Sequence, residues 1–99
     1  MILGKVIGTV WSTRKDENLV GAKFLIVRQL DLEYNPKEAT VIAVDSVGAG
    51  VGEVVLVAQG SSARQTTFTK NKPVDAVIMA IVDKLDISVK DKHKDRVEV

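Results

Sequence analysis

Residues 41–57 read VIAVDSVGAGVGEVVLV, and this stretch decides the fold. An apolar run enters a loop with glycine at positions 48, 50 and 52, and a second apolar run leaves it. Runs that are rich in valine and isoleucine and bounded by glycine predict β-strands. The stretch therefore predicts two strands joined by a tight loop, with no helix after the glycines.

The glycine loop does not match the usual phosphate-binding patterns. A dinucleotide fingerprint needs G-x-G-x-x-G and then a helix whose N-terminus faces the pyrophosphate. Here the spacing is G-x-G-x-G, a strand is expected next, and the Gly-Lys-Ser/Thr of a P-loop is absent. Glycine also permits positive φ and the close approach of another backbone. We therefore favour a backbone that passes through a crowded place over a phosphate site.

Five segments rich in valine and isoleucine predict strands. They cover residues 2–13, 23–30, 40–45, 53–59 and 75 to about 87. Polar loops are expected at 14–18 and 33–38, and a short helical turn with a serine N-cap at 60–65. Because no long helix separates the strands, the expected fold is all-β: a small five-stranded OB-like antiparallel β-barrel with one short helix. We expect one barrel domain over residues 1–88 and a charged tail over 89–99.

The composition limits the classes of function. A chain of 99 residues fits one domain, and 45% apolar with 4% aromatic residues predicts an aliphatic core. The net charge of +1 gives no field that attracts nucleic acid or an anionic membrane. With no cysteine and a single histidine, His93, we expect no metal, no cofactor and no catalytic triad. No signal peptide and no apolar run near ~20 residues is visible, which predicts a cytosolic protein.

The predicted fifth strand is apolar on both faces. A barrel strand whose outer face is wet should alternate apolar and polar residues. A small barrel has only one interior, so the second face needs a loop, the helical turn or another subunit to cover it. We therefore expect the chain to associate with copies of itself. The two sets are Val77, Met79 and Ile81 on one face and Ile78, Ala80 and Val82 on the other.

Charged and hydroxyl side chains near the loop are candidate site residues. Asp45 and Glu53 flank the loop and could converge as an acid/base pair, although no other part of a catalytic set is visible. The segment from residue 60 to Arg64 lacks the second glycine of a nucleophile elbow, so Ser61 and Ser62 are interpreted as helix caps. Arg64 is interpreted as an ion-pair partner, for example of Asp45 or Glu53, within the chain or between subunits.

Five stretches of the sequence match the motifs of one known family, in the same order along the chain. They read GTVWSTRK (8–15) with LVGAKFLIV (19–27), then AVDSVGAGVGEVVLV (43–57), then GSSAR (60–64) and PVDAVIMAIVD (73–83). Together they resemble the EutN/CcmL family of bacterial microcompartment vertex proteins, from residue 1 to about 87.

The resemblance implies a five-stranded barrel that assembles into a homopentamer, with no catalysis. Such pentamers occupy the five-fold vertices of a protein shell in the bacterial cytoplasm, and a hexagonal shell protein forms the flat facets. Carried over to this chain, one set of residues lies around a narrow axial opening and a second set fixes the loop or the subunit contact. The first set is Ser46, Val47, Gly48, Ala49, Gly50 and Gly52, and the second is Asp45, Glu53, Ser61, Ser62 and Arg64.

The alternative interpretation is an OB-like barrel that binds single-stranded nucleic acid. That function needs a basic groove with exposed aromatic side chains. The only aromatic residues are Trp11, Phe24, Tyr34 and Phe68, and the charge is balanced, which disfavours this alternative.

Overall fold

The fold is a closed β-barrel. The computed structural model describes residues 1–12, 17, 21–60 and 75–88. Its strands are β1 (Ile2–Val10), β2 (Phe24–Leu30), β3 (Pro36–Asp45), β4 (Val54–Gln59) and β5 (Ala76–Ile81). They close in the order β1-β2-β3-β5-β4, which confirms the predicted five-stranded all-β barrel. The helical turn predicted at 60–65 lies, apart from Gly60, outside the described residues.

One strand pair departs from the antiparallel pattern. The pairs β1–β2, β1–β4, β2–β3 and β4–β5 are antiparallel, whereas β3 and β5 are parallel. The parallel pair is short, with Val44 opposite Val77 and Asp45 opposite Ile78. Parallel neighbours need a crossover connection, which here contains β4. Because the glycine loop follows directly after this pair, the loop begins beside β5.

The turn between β2 and β3 is shorter than the sequence suggested. A loop was predicted at 33–38, but β3 already begins at Pro36, so this prediction was wrong over its second half. Asp31 closes the turn early, because its Oδ1 atom accepts the backbone N–H groups of Glu33 (2.8 Å) and Asn35 (3.0 Å). Pro36 then lies opposite Leu30 as the first residue of its strand, where a missing N–H is tolerated.

The other strand ends also differ from the prediction. β1 ends at Val10 and not at residue 13, and β5 ends at Ile81 and not near residue 87. The segment after Ile81 carries three charged side chains within residues 83–86, which suit solvent better than a barrel wall.

The barrel interior is aliphatic, as the composition predicted. Side chains from all five strands meet there, and several have no exposed surface at all. Ala49 of the glycine loop is 1% exposed and belongs to the same cluster, so the loop contributes to the core. The cluster contains Val6, Leu25, Val27, Ala43, Ala49, Val55, Val57, Ala76 and Ile78.

A second apolar cluster lies outside the barrel wall. It contains Ala22, Val44, Ala58 and Val77, with Phe24 packed against it. Successive strand residues point to opposite faces, so Val44 and Val77, which neighbour inward-pointing residues, point outward. The expectation that both faces of β5 are buried therefore holds for Val77 and Ile78, each 0% exposed. It does not hold within one chain for Met79 and Ile81, which are 41% and 37% exposed.

The glycine loop as candidate functional site

A single carboxylate shapes the first half of the loop between β3 and β4. Asp45 is the last residue of β3. Its Oδ1 atom accepts the backbone N–H groups of Val47, Gly48 and Ala49, each at 3.1 Å. Hydrogen bonds to an ionised acceptor are stronger than those between neutral groups. The Asp45 side chain therefore fixes three consecutive backbone amides of the loop.

A second carboxylate shapes the other half. Glu53 Oε1 accepts the backbone N–H of Gly50 at 2.6 Å, and the Glu53 N–H donates to the Gly50 carbonyl at 3.1 Å. Gly48 and Gly52 have φ angles of +80° and +95°, in the left-handed region where side chains are strained. Backbone conformation therefore requires glycine at positions 48 and 52, whereas position 50 has no positive φ.

The loop is attached to the barrel on two sides. The Gly52 N–H donates to the carbonyl of Val6 at 2.8 Å, and the Val6 N–H donates to the carbonyl of Glu53 at 2.9 Å. On the other side the Ser46 hydroxyl donates to the carbonyl of Ile78 at 2.6 Å. These bonds connect the loop to β1 and to β5.

Ala49 attaches the middle of the loop to the barrel. Its side chain lies in the core, and its carbonyl accepts a hydrogen bond from Lys23 Nζ at 3.4 Å. The loop is thus held at both ends and at its centre, which gives it one defined shape.

The hydrogen bonds decide what the loop can bind. The amides of residues 47–50 donate to the two carboxylates, and those of Gly52 and Glu53 donate to carbonyls. A phosphate cradle needs amides that point freely at the ligand, and here they are engaged by anionic side chains. The loop surface instead exposes Val47 (41%) and Val51 (64%). Such a surface suits contact with protein rather than with an anion.

Asp45 and Glu53 converge on one loop, but both are engaged in holding it. The described residues contain no group of three or more His, Asp or Glu side chains that could hold a metal ion. In the described part of the chain, no helix combines the length and the apolar character needed to cross a membrane.

The structure brings together most of the site residues that the sequence indicated. Ser46, Val47, Gly48, Ala49, Gly50 and Gly52 share the loop that Asp45 and Glu53 hold. Ser61, Ser62 and Arg64 lie outside the described residues, as do His93 and the tail at 89–99.

Sequence reasoning missed the groups that attach the loop to the barrel. Val6 and Ile78 act through their backbone carbonyls, which every residue type has, so no sequence signal marks them. The multiple acceptor role of Asp45 did leave a signal, because aspartate commonly accepts amides two residues further along the chain.

Comparison with known proteins places this architecture in a family. A model of the family described as ethanolamine utilisation protein EutN/carboxysome matches residues 1–83. The bacterial microcompartment shell vertex protein GrpN of Rhodospirillum rubrum is 50% identical over 86 residues, which cover 87% of this chain and 97% of that protein. The carboxysome shell vertex protein CcmL of Synechocystis is 46% identical over 88 residues, 89% of this chain and 88% of that protein.

A solved structure agrees with these matches. The GrpN pentameric microcompartment shell protein from Rhodospirillum rubrum superimposes with a TM-score of 0.80 at 48% identity, covering 88% of this chain and 99% of that one. The family match over residues 1–83 includes the barrel and the whole glycine loop. The chain therefore belongs to the EutN/CcmL family.

Proposed function

We propose that this chain forms homopentamers that close the five-fold vertices of a bacterial microcompartment shell in the cytoplasm. The observation that carries the proposal is the similarity to shell vertex proteins, which at 50% identity extends over 97% of GrpN. That similarity leaves little of the relative unmatched, so the role belongs to the barrel and its loop rather than to an additional domain.

We infer that residues 46–50 and Gly52 lie around the five-fold axis. The loop has a fixed shape, and it presents glycine backbone together with two exposed valines. Five chains that converge on an axis crowd their backbones, and glycine at alternate positions leaves the room that such convergence needs. An added Cβ at Gly48 meets no atom of the described residues within 4 Å, which leaves room beside it for other copies.

A second set of residues fixes the loop or the subunit contact. This set is Asp45, Glu53, Ser61, Ser62 and Arg64. The hydrogen bonds of Asp45 and Glu53 support the loop-fixing part for these two residues. The interface role of Ser61, Ser62 and Arg64 rests on the family resemblance. No catalytic role is proposed, because the two carboxylates that could form an acid/base pair are engaged with backbone amides.

The partner outside the pentamer is a hexagonal shell protein that forms the facets.

Single-stranded nucleic acid suits the surface of this barrel less well than a protein partner does. Trp11 is 89% exposed and Tyr34 43%, but they lie near opposite ends of the seven-residue strand β2. Trp11 follows Val10, which pairs with the first residue of β2, whereas Tyr34 lies in the turn after the last residue of β2. At about 3.3 Å per residue they are roughly 23 Å apart, too far to stack neighbouring bases as one platform.

Two measurements test the proposed function. Native mass spectrometry of the purified chain is expected to give the mass of five copies. Coexpression with a hexagonal shell protein is then compared with and without this chain, and closed shells are scored by electron microscopy and by retention of an encapsulated fluorescent protein. Shells that close equally well without the chain would contradict the vertex role.

A further inference from the structure

The first strand carries a β-bulge that places an isoleucine on the surface. Val6 lies opposite Val27, but the next pair joins Gly8 to Ile26, so Ile7 is an extra residue in β1. Ile7 is 48% exposed. Bulges bend a strand and re-aim a side chain, and they are common beside functional regions.

The fifth strand carries an equivalent irregularity. Val57 lies opposite Ile78, but the adjacent pair joins Leu56 to Ala80, so Met79 is an extra residue in β5. Met79 is 41% exposed. Two of the three register shifts in the barrel thus each present a large apolar side chain to the outside.

Both extra residues directly follow a residue that holds the glycine loop. Ile7 follows Val6, which exchanges hydrogen bonds with Gly52 and Glu53. Met79 follows Ile78, whose carbonyl accepts the hydroxyl of Ser46. β1 and β5 are not neighbours in the barrel. The two side chains therefore border the loop on two strands that are not adjacent in the barrel.

Ile7 belongs to a larger apolar surface. Gly8 has no side chain, and the Cδ1 atom of Ile26 lies 3.4 Å from the position that a Cβ would occupy there. Ile26 in turn lies opposite Ile42, which is 54% exposed. We name Ile7, Ile26 and Ile42 the isoleucine face. The row further from the loop pairs Arg28 with Thr40, so the apolar face has a polar border.

Met79 also has apolar neighbours. Leu56 lies opposite Ala80, and it points out of the barrel because Val55 and Val57 on either side of it are fully buried. We name Leu56, Met79 and Ala80 the β4–β5 face.

We infer that the isoleucine face of one copy packs against the β4–β5 face of the next copy around the ring. This inference rests on the proposed pentamer. A cyclic ring uses heterologous contacts, in which each subunit offers one surface to the neighbour before it and a different surface to the neighbour after it. The isoleucine face and the β4–β5 face are two such surfaces: both are apolar, they lie on different strands, and both border the loop placed at the axis. An apolar centre with the polar Arg28 row at its edge is the usual anatomy of a protein interface.

The test uses complementary charges on the two bulge residues. Ile7→Glu and Met79→Lys are made singly and together, and Leu32→Glu is the control because Leu32 is 64% exposed in the β2–β3 turn, outside both faces. Assembly is followed by sedimentation velocity and native mass spectrometry over a range of concentrations, and folding by far-UV circular dichroism. Each single variant is expected to raise the concentration needed for pentamers at least about tenfold. The double variant is expected to recover assembly, because the carboxylate introduced at position 7 of one copy would meet the ammonium introduced at position 79 of the next.

The outcomes separate this inference from the proposed function. If the unmodified chain is a monomer, the proposed function fails. If it is a pentamer and both single variants assemble as well as Leu32→Glu, the inferred contact is wrong and the vertex role stands. Dissociation of both single variants without recovery in the double variant would also overturn the pairing of the two faces. If a charged variant unfolds, Ile7→Thr and Met79→Thr take its place, and assembly of both at the original concentration overturns the inference.

Discussion

The Oδ1 atom of Asp45 accepts the backbone N–H of Ala49 at 3.1 Å, and the Ala49 side chain is only 1% exposed. The carboxylate that ends β3 therefore sets the position of a residue that completes the barrel core. Loop shape and core packing depend on each other through this pair. A subunit contact at the loop would meet a surface that the single chain has already formed.

Asp45→Ala is expected to lower the free energy of unfolding by about 1–2 kcal/mol. The Ala49 amide loses its acceptor in a buried place, whereas the amides of the exposed residues Val47 and Gly48 can turn to water. Asp45→Asn keeps an acceptor oxygen without the charge, so a smaller loss is expected. Urea unfolding by far-UV circular dichroism checks this at one fixed protein concentration, because the stability of an oligomer depends on concentration. If Asp45→Ala unfolded at the same urea concentration as the unmodified chain, these hydrogen bonds would have no role in stability.

Gly50→Leu is expected to weaken the pentamer while the barrel stays folded. Within one chain a Cβ at position 50 would lie 3.7 Å from Glu53 Oε1, an ordinary contact, and the backbone there has no positive φ. Loss of assembly would therefore reflect crowding by other copies rather than damage within the chain. Sedimentation velocity gives the oligomeric state, and circular dichroism confirms the fold.

Gly48→Leu is expected to weaken assembly in the same way. It should also lower the stability of the folded chain by about 1–2 kcal/mol, because the φ of residue 48 is +80°. Gly21→Leu is the matched control: its φ is +87°, and an added Cβ there also meets none of the described residues within 4 Å. We expect comparable destabilisation from both substitutions, but loss of assembly only from Gly48→Leu. A pentamer that persists with leucine at both 48 and 50 would place the loop away from the axis.

Much of the barrel could be predicted because its signals are local. Val55 and Val57 alternate with outward residues and lie in a run bounded by glycine, so residue types alone indicated a strand there. The glycine spacing excluded a dinucleotide fingerprint, and the structure supplied the reason, since Asp45 and Glu53 already take the loop amides. These features depend on residue type within a short window.

The remaining features depend on pairing between distant segments. The extra residues Ile7 and Met79 cannot be recognised from their own neighbours in sequence, because a bulge is defined by the partner strand. The early start of β3 depends on Asp31 closing a five-residue turn, and proline at position 36 suggested a longer loop. The parallel β3–β5 pair likewise follows from barrel closure and not from either strand alone.

Gly4→Ala is expected to destabilise the barrel by about 1–3 kcal/mol through overpacking. An added Cβ would overlap Cγ1 of Val27 and would lie 3.0 Å from the carbonyl oxygen of Arg28. Val27→Ala removes the first of these clashes at the expense of a cavity. The combined variant should therefore lose less stability than the two single variants added together, by about 1 kcal/mol. Additive losses in urea unfolding would mean that the two sites do not contact.

Asp31 is expected to give the stability of the β2–β3 turn a dependence on pH. The backbone N–H of Asn35, followed by that of Glu33, holds the pKa of the Asp31 carboxyl below its ordinary value of 3.8. A pKa that is depressed in the folded state stabilises the fold at pH values above the unfolded pKa. That contribution is lost as the pH falls through the folded pKa, when the carboxylate gains a proton.

The comparison of Asp31→Asn with the unmodified chain measures this contribution. The unmodified chain should be more stable at pH values above about 5, and the difference should shrink progressively as the pH is lowered past 3.8. Asp31→Glu keeps the charge, but its longer side chain moves the carboxylate out of position for the two amides. Its stability near neutral pH should therefore be close to that of Asp31→Asn. Thermal unfolding at matched protein concentration, together with an NMR titration of the Asp31 carboxyl carbon, supplies the data. A stability difference that stays constant from neutral pH down through the folded pKa would contradict the role of these two hydrogen bonds, because a neutral acceptor would then hold the turn as well as a charged one.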